Sequence, residues 1–497
     1  MRSLVPTFLL LGALLTAPYR PAEAEEPARP NIIFFIADDM AWDDCGPFGH
    51  RRIQTPNLDR LAEQGICFDN AMLTTSSCSP SRSSIITGRY PHNTDAEELH
   101  WPLPGEQVTF VEQLKASGYW TAAAGKWHLG NAVLDRFDEV RGADTSGFQL
   151  PTGADAEAAK LLVEGDGAAK SGCAQWVPVL QDRPRDRPFF LWLAAIDPHR
   201  DYEAGIIPEP HTPEDVVVPP YLPDTPEVRR DLALYYDEIT RLDQFVGLVL
   251  KELEHQGETD NTLVLFLSDN GRPFPRDKTT VYDSGVKTPW ILRWPGHVEP
   301  GTRQQGLVSV IDIAPTFLKL AGLEPGPTFQ GVDFSPMLFD PEARVREHAF
   351  AERNWHDYRA FARAVRTEKY RYIWNPLHDL PMTPPADAVR SPTFREMRRL
   401  RDAGLLPLEQ QHSFLAPRPE EELYDVEADP HEMNNLAGDP AHAKVLAELR
   451  AVRQDWREAT DDEFPGAEVL SADEFDRETG DPRPNRERPR RSKADRG

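Results

Sequence analysis

Cysteine is scarce in this chain, four residues among 497. Cys45, Cys67, Cys78 and Cys173 are too few and too scattered for a disulfide framework. If Cys78 is reserved for chemistry, at most one bridge can form and one thiol is left over. Positive charge is also short: 55 lysines and arginines stand against 81 aspartates and glutamates, a net charge of −26. That deficit argues against general nucleic-acid binding and against adhesion to an anionic membrane. It still allows an anionic substrate, since one pocket can be basic inside an acidic protein. The longest apolar run, Leu4 to Ala17, falls short of the roughly 20 residues that a membrane span requires. The sequence holds no internal repeat and no Asn-x-Ser/Thr glycan acceptor, which fits a bacterial origin.

With 40% apolar and 27% charged residues, the composition is that of a globular protein, and the length calls for a large domain plus a smaller one. Residues 1–24 read as a secretory signal. Arg2 supplies the positive end, the Leu4 run the apolar stretch, and Ala22-Glu23-Ala24 the cleavage site. The mature protein is therefore expected to be exported, periplasmic or secreted. Residues 25–355 form the expected large domain and 356–472 a smaller α+β domain. The tail 473–497, charged and rich in Pro and Arg, is expected to be disordered.

Three apolar runs share one design. Asn31–Ala37 ends in Asp38-Asp39, Phe189–Ile196 in Asp197-Pro198-His199-Arg200, and Thr262–Ser268 in Asp269-Asn270. Continuous apolar strands of this kind are buried on both faces and deliver polar residues at their C-terminal ends. Helical patterns around Thr55–Gln64, Phe110–Gly118 and Glu227–Glu254 separate them. The alternation implies an α/β/α layered sheet with its site along one sheet edge.

Asp38, Asp39, Asp269 and Asn270 offer three carboxylates and an amide, a donor set suited to Ca²⁺ or Mg²⁺. Lys126 and His128 follow a short strand at Thr121–Ala124, and Lys278 sits in the loop after Asn270. In Cys78-Ser79-Pro80-Ser81-Arg82, Pro80 suits a first helical turn, so the helix is expected to begin at Ser81 and Arg82. A cysteine beside a helix N-terminus and an arginine is expected to be reactive. Carboxylates, a cysteine, two histidines and several cations together make a coherent anion-transfer site.

Cys78–Arg89 resembles the signature of the type I sulfatase family, Cys-x-Pro-Ser-Arg followed by Thr-Gly-Arg, and matches it fully. The resemblance implies an alkaline-phosphatase-like α/β/α sandwich with a large mixed sheet, plus a smaller C-terminal domain with an antiparallel sheet. It makes 25–355 the catalytic domain. It also implies conversion of Cys78 to formylglycine (3-oxoalanine) by a separate maturation enzyme, so that a gem-diol replaces the thiol.

The family's roles carry over by position. Asp38, Asp39, Asp269 and Asn270, with the modified Cys78, match the Ca²⁺ ligands. Arg82 matches the residue that orients the aldehyde hydrate, and Lys126 and Lys278 match the lysines that grip sulfate oxygens. His128 matches the base that collapses the covalent sulfate ester, and His199 the residue beside the leaving group. Within the family the chain is similar to the sulfamidase branch, which acts on the N-sulfate of glucosamine in heparin- or heparan-type saccharides. Lys278 departs from that branch, which carries an arginine there. Arg200 and His356 are expected glycan contacts, and Leu99–Pro104 with the loops after His199 and Trp355 are expected to shape the subsites. The alternatives are an O-sulfatase on another polysaccharide, a phosphonate or phosphodiester hydrolase, and a glycan-binding protein with unmodified Cys78.

Overall fold

The computed structural model describes residues 29–142 and 170–484. The signal at 1–24 and the last part of the tail, 485–497, lie outside the described residues.

Eight strands form the main sheet: β1 (Asn31–Ala37), β2 (Ile66–Met72), β3 (Trp120–Gly125), β4 (Glu139–Arg141), β5 (Phe189–Ala194), β6 (Thr262–Ser268), β7 (Ile291–Arg293) and β8 (Thr302–Ser309). Their order is β4-β3-β5-β1-β6-β7-β2-β8. β7 runs antiparallel to both neighbours, and the remaining pairs are parallel, so the sheet is mixed as expected.

The alternation of side chains along β1 divides the core in two. Ile32, Phe34 and Ile36 pack with α2 (Cys78–Thr87), α3 (Phe110–Ala116) and α6 (Ile313–Leu320). Ile33, Phe35 and Ala37 face α1 (Pro56–Glu63), α4 (Trp176–Asp182) and α5 (Pro226–His255). Phe34 meets Trp192 edge-on at 5.3 Å on one face, and Phe35 meets Trp176 at 5.3 Å on the other. Each such fully buried side chain stabilises the fold by about 1.5–3 kcal/mol. That two-sided burial is why β1 reads as an unbroken apolar run. α5 is fixed at its start by Pro226 and by the Thr225 side chain, which accepts from the Val228 amide.

The smaller sheet is antiparallel, in the order β12-β11-β10-β9: β9 (Ala349–Arg353), β10 (Ala362–Arg366), β11 (Tyr370–Trp374) and β12 (Glu421–Asp425). It begins at Ala349, ahead of the boundary expected at 356. β9 is tied into the main body by the Glu352 amide, which donates to Thr74 O at 2.8 Å. Val365, Tyr372 and Leu423 of this sheet bury Leu446 and Leu449 of α8 (Ala443–Ala459), and α7 (Pro392–Asp402) packs Phe394 and Met397 on the α5 side of the main core.

The start of the tail, expected to be disordered, is ordered. Residues 473–484 pack onto the body rather than remaining unstructured. The Tyr358 hydroxyl donates to Asp476 O at 3.2 Å, and the Glu474 amide donates to Asp357 O at 2.9 Å. Arg477 meets both oxygens of Asp473 at 2.8 Å. Composition alone predicts disorder; the long-range partners Tyr358 and Asp357 supply the order.

Candidate active site

β1 and β6 are neighbours with Ala37 opposite Ser268, so Asp38-Asp39 and Asp269-Asn270 leave the sheet side by side. β3 lies against β5 with Gly125 opposite Ala194, and the Lys126 amide continues the pairing to Ala194 O at 2.8 Å. Gly125 is obligatory there: its φ is +96°, and a Cβ would lie 2.0 Å from Ala194 O. The spatial order β3-β5-β1-β6 thus brings Lys126, His199, the aspartates and Asn270 to one sheet edge. Asp39, His100, His128 and Thr279 all adopt positive φ, between 54° and 76°. Such strained backbone in non-glycine residues is held only where the surroundings over-determine it.

One donor atom from each of Asp38, Asp39, Cys78 and Asp269 lies within 4.8 Å of the others, and all four residues are buried. Asn270 donates its Nδ2 to Asp39, while its Oδ1 is buried without a hydrogen-bond partner. A cluster of carboxylate oxygens with one orphaned amide oxygen fits a hard divalent cation. The electrostatics agree. Burial, followed by repulsion from Asp38, pushes Asp269 up to about 6. Burial also raises Asp39, against the pull of Lys278. Burial opposes ionisation of Asp38 too, but Lys126, His199 and Arg82 together hold it well below the usual carboxylate range.

α2 begins at Cys78, three residues ahead of the expected start, with the Ser81 amide already bonded to Ser77 O at 2.9 Å. Pro80 is accommodated because first-turn amides have no intrahelical partner. The thiol donates to Asp38 Oδ1 at 3.4 Å. Burial, then the Asp38 charge, pushes its pKa well above the ordinary thiol value. Desolvation and the carboxylate neighbour outweigh the helix start and the cations, and favour the neutral thiol. Arg82 has no solvent exposure; its Nε reaches Asp269 Oδ2 at 2.7 Å and its Nη1 donates to Lys126 O at 2.9 Å. It ties the two strand ends together beneath Cys78.

Lys126 pairs with Asp38, and Lys278 reaches Asp39 Oδ2 at 2.7 Å. His128 Nε2 meets His100 Nδ1 at 2.7 Å. Burial, with Lys126 and Arg82 nearby, pushes His128 down to about 2. His199 Nδ1 is occupied by Arg200 O at 2.5 Å, and its Nε2 stands 3.8 Å from both Asp39 and Asp387. His356 bonds Ser77 Oγ at 2.8 Å, and burial pushes it well below the usual imidazole value.

Cys78, Lys126, His128, His199, Lys278 and His356 line one cavity of about 510 Å³, a size suited to a small organic ligand. Arg200, expected as a glycan contact, is not among its walls. Its guanidinium forks onto Asp231 at 2.8 and 2.9 Å and lies against Tyr202 and Phe274. The buried Asp231 carboxylate captures it before it can reach the cavity. Sequence reasoning missed His100, Asp357, Asp387, Arg390 and Phe475, which also line the cavity. His100 and Asp357 fall within the segments expected to shape subsites. Phe475 carried a weaker signal, as an isolated aromatic in a charged tail.

Known proteins resemble this chain in sequence and fold. The sulfatase family model matches residues 30–323. The model for the C-terminal part of N-sulphoglucosamine sulphohydrolase matches 274–377. Human N-sulphoglucosamine sulphohydrolase is 32% identical over 480 residues, covering 88% of this chain and 91% of that protein. An ulvan-active sulfatase of Formosa agariphila is 31% identical over 499 residues, covering 91% of this chain and 79% of its own length. A solved structure of a protein in complex with its substrate D-glucosamine-2-N,6-O-disulfate has the same fold, with a TM-score of 0.63 at 22% identity over 88% of this chain and 99% of that one. The family match begins just ahead of β1 and runs past Lys278, so every strand end that feeds the cavity falls within it: the chain belongs to the sulfatase family, the alkaline-phosphatase-like hydrolases of sulfate esters and sulfamates.

Proposed function

We propose that this chain is an exported, Ca²⁺-dependent sulfatase that removes the N-sulfate of glucosamine from heparin- or heparan-type saccharides. The observation that carries the choice of linkage is the similarity to human N-sulphoglucosamine sulphohydrolase over most of both chains, together with the C-terminal match at 274–377. Cys78 is the residue to be matured to formylglycine, whose hydrate supplies a hydroxyl nucleophile. Ca²⁺ held by Asp38, Asp39, Asp269 and Asn270 would offset charge on the sulfuryl oxygens.

The chain's own residues do the remaining work. Lys126 and Lys278 stand beside Cys78 and can take sulfate oxygens in place of the aspartates they now pair with. Arg82 fixes the floor of the site through Asp269 and the Lys126 carbonyl. His199, its Nδ1 held by Arg200 O, presents Nε2 to the cavity, where it can give a proton to the leaving nitrogen. His128, kept neutral by burial and its cationic neighbours, can accept a proton from the nucleophile side.

Sulfate release from N-sulfoglucosamine and from O-sulfated saccharides, measured on matured protein, tests the linkage. Release from O-sulfated saccharides alone rejects the N-sulfatase reading. Mass spectrometry of the peptide containing Cys78 tests the maturation; an intact thiol in natively produced protein rejects it. A second reading, O-sulfate removal from another polysaccharide, is favoured by the similarity to the ulvan-active sulfatase.

A further inference from the structure

Two of the cations that line the active-site cavity are committed. Lys126 pairs with Asp38 and Lys278 with Asp39. Arg390 lines the same cavity, is exposed, and forms no ion pair among the described residues. Its Nη1 donates to Gly480 O at 2.7 Å. Among the described residues, Nη2 and Nε have no hydrogen-bond partner. Gly480 has φ +73°, and a Cβ there would lie 2.9 Å from Arg390 Cγ and 3.0 Å from Ala386 O. Only glycine permits this close approach.

The same C-terminal segment supplies Phe475, whose half-buried ring lines the cavity 5.8 Å from the Arg390 guanidinium. Phe475 is bridged to Pro482, and its neighbour Glu474 is bonded to Asp357 O, so the ring and the guanidinium are held as one wall. A planar guanidinium with free donors selects a carboxylate or a sulfate. An aromatic face beside it suits the C–H face of a sugar ring.

We propose that Arg390 and Phe475 form a subsite for a second acidic group of the saccharide, distinct from the sulfate removed at Cys78. The proposal rests on the reading of the cavity as a sulfated-saccharide site. The acidic group is either a second sulfate on the same sugar or the carboxylate of an adjoining uronic acid, and the test separates them.

Binding is measured by calorimetry on the full-length Cys78→Ala protein, so turnover plays no part. The probes are glucosamine N-sulfate, glucosamine N,6-disulfate, and N-sulfoglucosamine linked to a uronic acid. At least one diacidic probe is expected to bind roughly tenfold tighter than the monoacidic one, the scale of one charge-assisted contact. Gain with the disulfate identifies a sulfate subsite, and gain with the uronide a carboxylate subsite. Arg390→Met should erase the gain, Arg390→Lys should restore part of it, and Gly480→Val should mimic Arg390→Met by displacing the side chain. A diacidic preference that survives Arg390→Met, or its absence from the Arg390-containing protein, overturns the subsite while leaving the saccharide reading intact. Failure of all three probes to bind overturns both.

Discussion

Arg82 and Asp269 form an ion pair at 2.7 Å between two side chains with no exposure to solvent. The pair joins the first turns of α2 to the end of β6, the two places that carry Cys78 and one of the three carboxylates of the acidic cluster. A buried pair of this kind contributes little net stability, but removing one partner leaves an uncompensated charge.

Arg82→Met should therefore destabilise the protein by roughly 3–5 kcal/mol, read from urea denaturation. Arg82→Lys should recover only part of this, because an ammonium cannot serve Asp269 and the Lys126 carbonyl with a fixed fork. Cys78→Ala, which removes only a weak donor, should leave the midpoint almost unchanged. Equal losses in Arg82→Met and Cys78→Ala would mean that the ion pair does not hold the site together.

Added Ca²⁺ should stabilise the protein more at pH 7 than at pH 5. Burial raises Asp269 to about 6, and also raises Asp39, above the ordinary carboxylate value. Between that ordinary value and about 6 the folded state binds more protons than the unfolded chain, so metal-free stability falls as pH rises through this window. A cation that keeps the carboxylates ionised removes the penalty where it is largest, above pH 6. Thermal melts with Ca²⁺ and with chelator at both pH values check this. A Ca²⁺ increment that is the same at both would remove Asp269 and Asp39 from the ligand set.

The strands were legible because burial on both faces leaves a plain mark: β1, β5 and β6 lie in apolar runs that each lead into an aspartate, Asp38, Asp197 and Asp269. The Cys78–Arg89 stretch was legible as a motif, although the start of α2 was not, since first-turn amides make no intrahelical bonds that Pro80 could interrupt. Arg200 illustrates what local reading cannot reach. It neighbours His199 in sequence, yet Asp231, 31 positions away on α5, decides where its guanidinium goes. The segment 473–484 is similar: nothing local marks it as ordered, and its order comes from Tyr358, Asp357 and Arg390.

Arg200→Met should lower stability without changing substrate affinity. The substitution strands Asp231, a carboxylate only 2% exposed, beside a lost guanidinium fork. The expected loss is roughly 3–5 kcal/mol, with KM for a sulfated saccharide unchanged. A rise in KM at unchanged stability would return Arg200 to the binding surface.

His128 should remain neutral across the whole range in which an ordinary histidine titrates. Burial is the largest cause, with Lys126 and Arg82 adding to it, and together they bring the ring to about 2. Its folded value lies below the unfolded one, so the stability tied to it is full above about 6.5 and declines as pH falls below that. His128→Gln should thus lose less stability than the parent protein when taken from pH 7.5 to pH 5. Its sulfatase turnover should fall by about 10²- to 10⁴-fold, the usual range for a general acid or base. NMR of the histidine rings tests the charge state directly, because the His128 resonances should not move between pH 5 and 8. A His128 titration midpoint near 6.5 would place the ring in solvent rather than among the cations of the site.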